Sequence, residues 1–292
     1  MNGIIIVNQT IGHNQYKIER FEKEFSKKEV SLEVFVNDGT LAEIKDSKIV
    51  INLPKADFVL YLDKDIYLAR LLEKEGYRLF NRADFIKMCD DKMLTFIACS
   101  NMGIKMPNTI AGPLVYTDLR ESNYQFLDEV IKELGLPMIV KRVYGSLGEG
   151  VYLINSKEEL RNLYTEIARN PILFQKYVQT SYGESIRILI IDGKVFGSFI
   201  RNNPYDFRSN YGDKASSKKL DNPRRYEAFA QDIADKLRIE YAGIDLLISD
   251  NEEPVLCEIN SNAFFEEFEK VTNLNVAEAF AEMVIKKVSH HE

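Results

Sequence analysis

The chain has 292 residues, with 45% apolar and 28% charged side chains, a composition that sets aside disorder and low-complexity structure. Net charge is −7, with Lys+Arg at 38 against Asp+Glu at 45, so a nucleic-acid binder held mainly by phosphate contacts is excluded. Three cysteines (Cys89, Cys99, Cys257) lack metal-like spacing and fit a reducing, cytoplasmic setting, and no apolar run nears the roughly 20 residues needed to cross a bilayer.

The start, Met1-Asn2-Gly3-Ile4, carries no basic segment of a signal peptide and leads at once into Ile4-Ile5-Ile6-Val7, a buried strand ended by Asn8, Gln9 and Gly12. A helix is predicted over 14–27, with Ile18, Phe21 and Phe25 on one face, and strands over 32–36 and 57–62. A second helix follows over 65–76. This alternation predicts a small parallel sheet with helices on its faces. Asp91 is placed to cap a helix running to about Asn101. Another helix covers 124–134, and strands at 137–141 and 151–154 flank the glycine-rich Gly145-Ser146-Leu147-Gly148-Glu149-Gly150. Ser156 is placed to cap a further helix, and 172–178 is a strand.

Strands over 186–192 and 194–200 meet at an Asp192-Gly193 turn, a hairpin signal. A polar stretch rich in Arg, Lys, Asn and Ser follows to Asn222 and is expected to be a mobile lid. Pro223 opens a helix to about Leu237, strands at 242–249 and 255–259 form a second hairpin, and a last helix begins near Val276.

Histidines number three (His13, His290, His291), which leaves no material for a histidine-based triad and little for a histidine metal site. The terminal His290-His291-Glu292 reads as a frayed end. Chemistry must rest on Lys, Arg, Asp, Glu and Asn. Asp245 on one strand of the second hairpin and Glu258 and Asn260 on its partner are oxygen donors among apolar neighbours. Such a set suits either a solvated polar face or a hard cation such as Mg²⁺. The glycine-rich string behind Val140-Lys141 suits either a flexible turn or a backbone cradle for phosphate. It lacks the Gly-Lys-Ser/Thr of a Walker loop, and a strand rather than a helix follows it. Lys92, Lys141, Arg187, Arg201 and Arg208 form a basic set. Arg187 and Arg201 sit among apolar strand residues, where a guanidinium needs an anion.

Together these segments resemble the ATP-grasp superfamily, in its RimK-like carboxylate–amine (α-L-glutamate-type) ligase branch, over about 81–276. The matching strings are Asp91-Lys92, Ile139-Val140-Lys141, Gly145 to Val151, Phe174-Gln175-Lys176-Tyr177-Val178, Gly183-Glu184-Ser185-Ile186-Arg187, Asp206-Phe207-Arg208-Ser209-Asn210, and Ala242-Gly243-Ile244-Asp245 with Glu258-Ile259-Asn260-Ser261-Asn262. The resemblance implies an α/β ATP-grasp fold divided as 1–88 (N-terminal parallel-sheet domain), 89–175 (central subdomain with the glycine loop) and 176–292 (C-terminal subdomain with the metal site). It implies ATP held by Lys92, Lys141, Gly145, Ser146, Gly148, Gln175, Lys176, Tyr177, Val178, Glu184, Ser185, Arg208, Ser209 and Asn210. It further implies magnesium on Asp245, Glu258 and Asn260, with two ions expected and manganese an admissible substitute. Arg187, Arg201 and Arg208 are the implied catalytic cations.

The implied reaction makes an acyl phosphate from a carboxylate and ATP, then an amide with an amine, releasing ADP and phosphate. Glutamate added to an amino acid, a peptide or a protein tail is the expected chemistry. A non-catalytic ATP-binding regulator and an ATP-grasp phosphotransferase are the alternatives. A homodimer or homotetramer is the expected assembly, with neither nucleic acid nor membrane as partner. Three departures stand out. Ser185 occupies a usually acidic ribose position, and alternation points the adjacent Glu184 to the other face. Lys176 replaces an acid. Ser261-Asn262-Ala263-Phe264-Phe265 replaces a small-Pro-Gly turn.

Overall fold

A computed structural model describes residues 1–8 and 11–290, the side chains of Ile11 and His13 excepted. Gln9, His291 and Glu292 therefore lie outside the described residues. The chain begins β1 (Asn2–Val7), α1 (Gln15–Ser26), β2 (Ser31–Val36), β3 (Ala42–Lys45), β4 (Lys48–Ile51), β5 (Phe58–Leu62), α2 (Ile66–Lys74) and β6 (Leu79–Phe80). A parallel sheet runs in the order β2-β1-β5-β6. Its two central strands are buried from Gly3 to Val7 and from Phe58 to Leu62 because both faces are covered. Ile5 and Val7 pack with Phe21 and Phe25 of α1, while Ile4 and Ile6 pack with Leu68 and Leu72 of α2. Asp65 starts α2 by accepting the Tyr67 and Leu68 amides. The β3–β4 hairpin was not foreseen. Its two-residue turn is Asp46-Ser47, both at positive φ (49° and 63°), without the glycine that usually advertises such a turn.

Next come α3 (Ala83–Asp90) and α4 (Lys92–Cys99), where Asp91 caps α4 through the Leu94 amide at 2.9 Å. Then follow β7 (Thr109–Ala111), α5 (Phe126–Leu134), β8 (Met138–Arg142), β9 (Val151–Ile154), α6 (Lys157–Ile167) and β10 (Ile172–Lys176). An antiparallel sheet in the order β7-β10-β8-β9 backs onto α5 and α6 through Leu127, Val130, Leu160, Tyr164 and Phe174.

The rest of the chain is β11 (Glu184–Ile191), β12 (Lys194–Asn202), β13 (Ser216–Lys219), α7 (Arg224–Leu237), β14 (Tyr241–Ile248), β15 (Pro254–Asn260), α8 (Glu266–Thr272) and α9 (Val276–Ser289). A second antiparallel sheet runs β13-β12-β11-β14-β15. One face buries Ile186, Ile188, Ile190, Ile244 and Leu246 against α7 and against Cys89 and Cys99. The other buries Leu189, Ile191 and Phe199 with Phe268 and Phe280, in a core that continues into α1 and the parallel sheet. Side chains alternate along a strand, so the face that sends Leu189 and Ile191 into this core also carries Arg187 and Ser185.

The polar stretch after Arg201, expected to be a mobile lid, carries local structure of its own. Its second half forms β13 on the edge of the sheet, pairing Lys219 with Phe199 and Ser217 with Arg201. Its first half is clamped by buried Asn203, whose amide donates to the Arg208 and Tyr211 carbonyls. Gly183 makes this turn feasible: at φ +65°, an added Cβ would stand 2.0 Å from the Asn203 carbonyl oxygen.

Candidate active site

A cleft lies between the two antiparallel sheets. One wall is β8, the glycine loop and the Gln175-Lys176-Tyr177-Val178 segment that leaves β10; the other is β11, β14, β15 and the 207–210 turn. Lys92, Lys141, Gly145, Ser146, Gly148, Gln175, Lys176, Tyr177, Val178, Glu184, Ser185, Arg201, Arg208, Ser209, Asn210, Asp245 and Glu258 all line it. Arg187 and Asn260 lie one step further, on a second chamber that opens off the same cleft.

Lys92 stands at the first turn of α4 and reaches under the glycine loop. Its Nζ donates to the Gly145 carbonyl at 2.8 Å and lies 4.0 Å from a Glu258 oxygen. Burial lowers its pKa against the pull of Glu258, and the charge on Lys141 lowers it further. Lys141 is buried in β8, and its ammonium group has neither hydrogen bond nor ion pair among the described residues. Two ammonium groups therefore face one space at the base of a loop of backbone N–H groups, an arrangement that calls for an anion. Gly148, at φ +77°, packs against Arg208, which ties the two walls together by donating from Nη1 to the Gly148 carbonyl at 3.0 Å. Asp206 grips the same guanidinium at 2.9 and 2.8 Å, and the Tyr211 ring lies beneath it at 3.3 Å. These contacts hold the Arg208 pKa above its ordinary value, the Asp206 hydrogen bond first among them.

At the other end of the cleft, Gln175 is buried and donates to Thr109 Oγ1 at 2.9 Å, while the Lys176 amide donates to the Asn108 carbonyl at 2.9 Å. Glu184 and Ser185 both line the cleft, although adjacent strand positions point to opposite faces. Glu184 is the first residue of β11, and Asn202 Nδ2 holds its carboxylate at 2.9 Å. Ser185 Oγ instead meets Ser209 Oγ at 2.6 Å.

The acidic hairpin pairs Asp245 with Glu258 and Gly243 with Asn260. The pairing then skips Cys257, a bulge that re-aims Glu258 at the cleft. Directly across β11, Arg187 donates to both Asp245 oxygens, at 2.5 and 2.6 Å. Arg201 Nη1 comes to 3.5 Å and Asn260 Nδ2 to 3.3 Å of the same carboxylate. Burial pushes the Asp245 pKa up, but the Arg187 and then the Arg201 charges outweigh it and hold the carboxyl below the usual aspartate range. Arg187 is raised by the same pair against its own burial. Arg201 is lowered, by burial and then by Arg187. The donor set fits a hard cation in chemistry: two carboxylates and an amide oxygen, with Asp245 kept ionised. Among the described residues, no cluster of three His, Cys, Asp or Glu side chains could hold a metal, so the Asn260 oxygen or ligand oxygens must complete any shell.

One wall of the second chamber, Lys17 of α1, was missed in the sequence; another, the 262–266 segment, falls largely within the Ser261–Phe265 string already singled out there as a departure. Lys17 lies four residues before Phe21, on the inward stripe of the helix, and that spacing was the available signal.

The model of the RimK-like ATP-grasp domain matches residues 89–284. The chain belongs to the RimK-like ATP-grasp family. By family it is an ATP-grasp ligase, of the class that forms carbon–nitrogen bonds. It is 32% identical over 252 residues to the uncharacterized protein MG012 of Mycoplasma genitalium, covering 84% of this chain and 87% of that one. It is 33% identical over 232 residues to human N-acetylaspartylglutamate synthase A, covering 79% of this chain and 58% of the synthase. A probable alpha-L-glutamate ligase of Legionella pneumophila is 31% identical over 224 residues, covering 75% and 70%. In fold it is similar to the D-alanine–D-alanine ligase of Bacillus anthracis complexed with ATP, with a TM-score of 0.74 and 19% identity over 99% and 98% of the two chains. No helix among the described residues is long and apolar enough to cross a membrane.

Proposed function

We propose that this ATP-grasp ligase joins glutamate, through its amine, to a carboxylate on an amino acid, peptide or protein tail. The observation that carries the reading is one cleft that joins two buried lysines, a glycine hairpin and an ionised acidic hairpin. The named relatives are an N-acetylaspartylglutamate synthase and a probable glutamate ligase, which favours glutamate as one partner. The two jaws are residues 89–175, with the glycine loop, and 176–292, with the acidic hairpin. Three free thiols suit a reducing, cytoplasmic setting.

In this reading the Gln175–Val178 segment holds adenine, Glu184 and Ser185 hold ribose, and Lys92, Lys141 and the amides of Gly145, Ser146 and Gly148 hold phosphate oxygens. Arg208, Ser209 and Asn210 close over the phosphates from the opposite wall. Asp245, Glu258 and Asn260 would hold the magnesium, two ions being expected, which when bound neutralises phosphate charge and polarises the transferring group. Arg187 and Arg201 orient the substrate carboxylate at the γ-phosphate, where a carboxylate oxygen forms the new O–P bond as the bond to ADP breaks. The amine then forms the C–N bond as phosphate leaves. The protein supplies position and fixed positive charge, and no histidine is needed.

The test is an oxygen-18-labelled carboxylate substrate with glutamate and magnesium ATP. Label transferred into the released phosphate, together with ADP formation that needs both substrates, supports the reading. ADP formed with the phosphoryl group retained on the acceptor would make the chain a phosphotransferase. ATP binding without turnover on any acid and amine would make it a regulator.

A further inference from the structure

The second chamber shares Arg201, Asp245 and Glu258 with the nucleotide cleft and runs from the phosphate end toward α1 and the segment after β15. Lys17 forms part of its far wall. The side chain is 1% exposed; its Nζ donates to Asn262 Oδ1 and faces the Phe264 and Phe265 rings, 5.4 and 5.9 Å from their centroids. No carboxylate among the described residues pairs with it. Of the acids lining the chamber, Asp90 pairs with Lys64, Asp245 with Arg187, Glu258 with Lys92, Glu266 with Lys270 and Glu267 with Arg201, and Glu149, on the glycine loop, pairs with no cation among the described residues. On its own helix, Glu24 pairs with Arg20 and Lys27, and Glu269, packed alongside, pairs with Arg20.

An ammonium group taken out of water without an anion is costly, and a core position has no need of one. Burial drives the Lys17 pKa down to about 7, so at neutral pH an arriving anion would decide its charge. A second group on the same wall is also unfinished. Asn14, three residues earlier, lines the chamber, is 3% exposed, and its buried Oδ1 has no donor among the described residues. A cation lacking an anion and an acceptor lacking a donor are what an amino-acid-like ligand, carrying carboxylate and N–H together, would complete.

We propose that Lys17 anchors a non-reacting carboxylate of the substrate, with Asn14 Oδ1 accepting an N–H of the same molecule, so that this wall selects for a second negative charge. The proposal rests on the ligase reading and assigns the substrate class to its chamber.

The experiment is calorimetric binding to the full chain loaded with magnesium and a non-hydrolysable ATP analogue. The probes are L-glutamate and N-acetyl-L-aspartate, each beside its two mono-amides. In the wild type, one mono-amide of the better probe should bind at least tenfold more weakly than the parent acid. Lys17→Met should weaken the parent acid by the same factor, leave the nucleotide affinity within threefold, and bind acid and amide alike. Lys17→Arg should recover most of the loss, as a charge anchor requires and a merely structural residue does not. Lys17→Gln, which keeps a donor for Asn262, gives the same comparison if the Met variant fails to fold. Discrimination that persists in the Met and Gln variants overturns the assignment. So does a wild type that binds the nucleotide analogue but neither acid, an outcome that leaves the ligase reading to the label-transfer test. Failure of the analogue itself to bind overturns both.

Discussion

Asp245 and Glu258 look equivalent in sequence, one acid on each strand of a hairpin, yet their surroundings make them separable by stability. Asp245 and Arg187 are 6% and 7% exposed, and both Asp245 oxygens accept from Arg187. Asp245→Asn keeps the volume, removes the charge, and turns an amide N–H toward a guanidinium. Arg187 is left buried beside Arg201, whose charge it already disfavours. Breaking such a buried pair from one side costs about 3–5 kcal/mol. For a chain of this length that is a fall in melting temperature of roughly 6–10 °C. Glu258 is half-buried, and its nearest cation, Lys92, is 4.0 Å away. Screening by solvent keeps that pair below about 1 kcal/mol, so Glu258→Gln should melt within roughly 2 °C of wild type. Both variants should lose roughly a thousandfold in ADP formation. Thermal melts by circular dichroism, read beside an ADP-release assay, test both numbers. Replacing both members of the pair, Arg187→Met with Asp245→Leu, should restore most of the stability without restoring turnover. Equal melting shifts for Asp245→Asn and Glu258→Gln would refute the account of Asp245 as the counter-charge of a buried arginine.

Arg208→Ala removes the bond to the Gly148 carbonyl that joins the two walls. It should lower kcat by about a hundredfold while the KM for ATP stays within about threefold, because the charge it meets is greatest during transfer. A larger change in KM than in kcat would contradict this. Glu184 lines the cleft with its carboxylate held by Asn202. ATP should therefore bind roughly tenfold or more tightly than 2′-deoxy-ATP, a preference that Glu184→Ala abolishes and Ser185→Ala retains; the reverse pattern would return the ribose to Ser185. Lys17 titrates at about 7 in the folded chain and, by the ordinary lysine value, at ~10.4 when unfolded. The unfolded chain then binds more protons between those values, so stability rises with pH across that window, and Lys17→Met should exceed wild type most at pH 7 and lose its advantage by about pH 10. Denaturation midpoints that differ by a constant amount over this range would rule it out.

The Asp192-Gly193 hairpin was legible because its turn residues adopt positive φ, 50° and 75°, where a glycine announces it. The acidic hairpin was legible for a related reason: its oxygen donors lie on strands joined by a short turn, so local alternation brings them together. β13 and α8 were not. Ser216–Lys219 is a polar edge strand with two lysines, which suits an edge that must not pair further but gives no apolar period. Glu266–Thr272 buries only Phe268, too little for a helical stripe. Glu184 and Ser185 both line the cleft against the alternation rule because a strand's first residue need not follow the pleat of its interior. The second chamber was hidden more deeply. Lys17 and its partner Asn262 are 245 positions apart, and the Arg187 partner Asp245 is 58 away, on a strand separated from it by another hairpin and a helix. Short-range periodicity reports which face a residue takes and is silent on which distant face it meets. In this fold the nucleotide wall is assembled mostly from contiguous strings. The chamber beside it is assembled from the parallel sheet's first helix, the central strands and the turn after the acidic hairpin. Recognition of the family therefore follows from contiguous motifs, whereas the groups that would choose the substrate become visible only where the parallel sheet and the acidic hairpin close on one another.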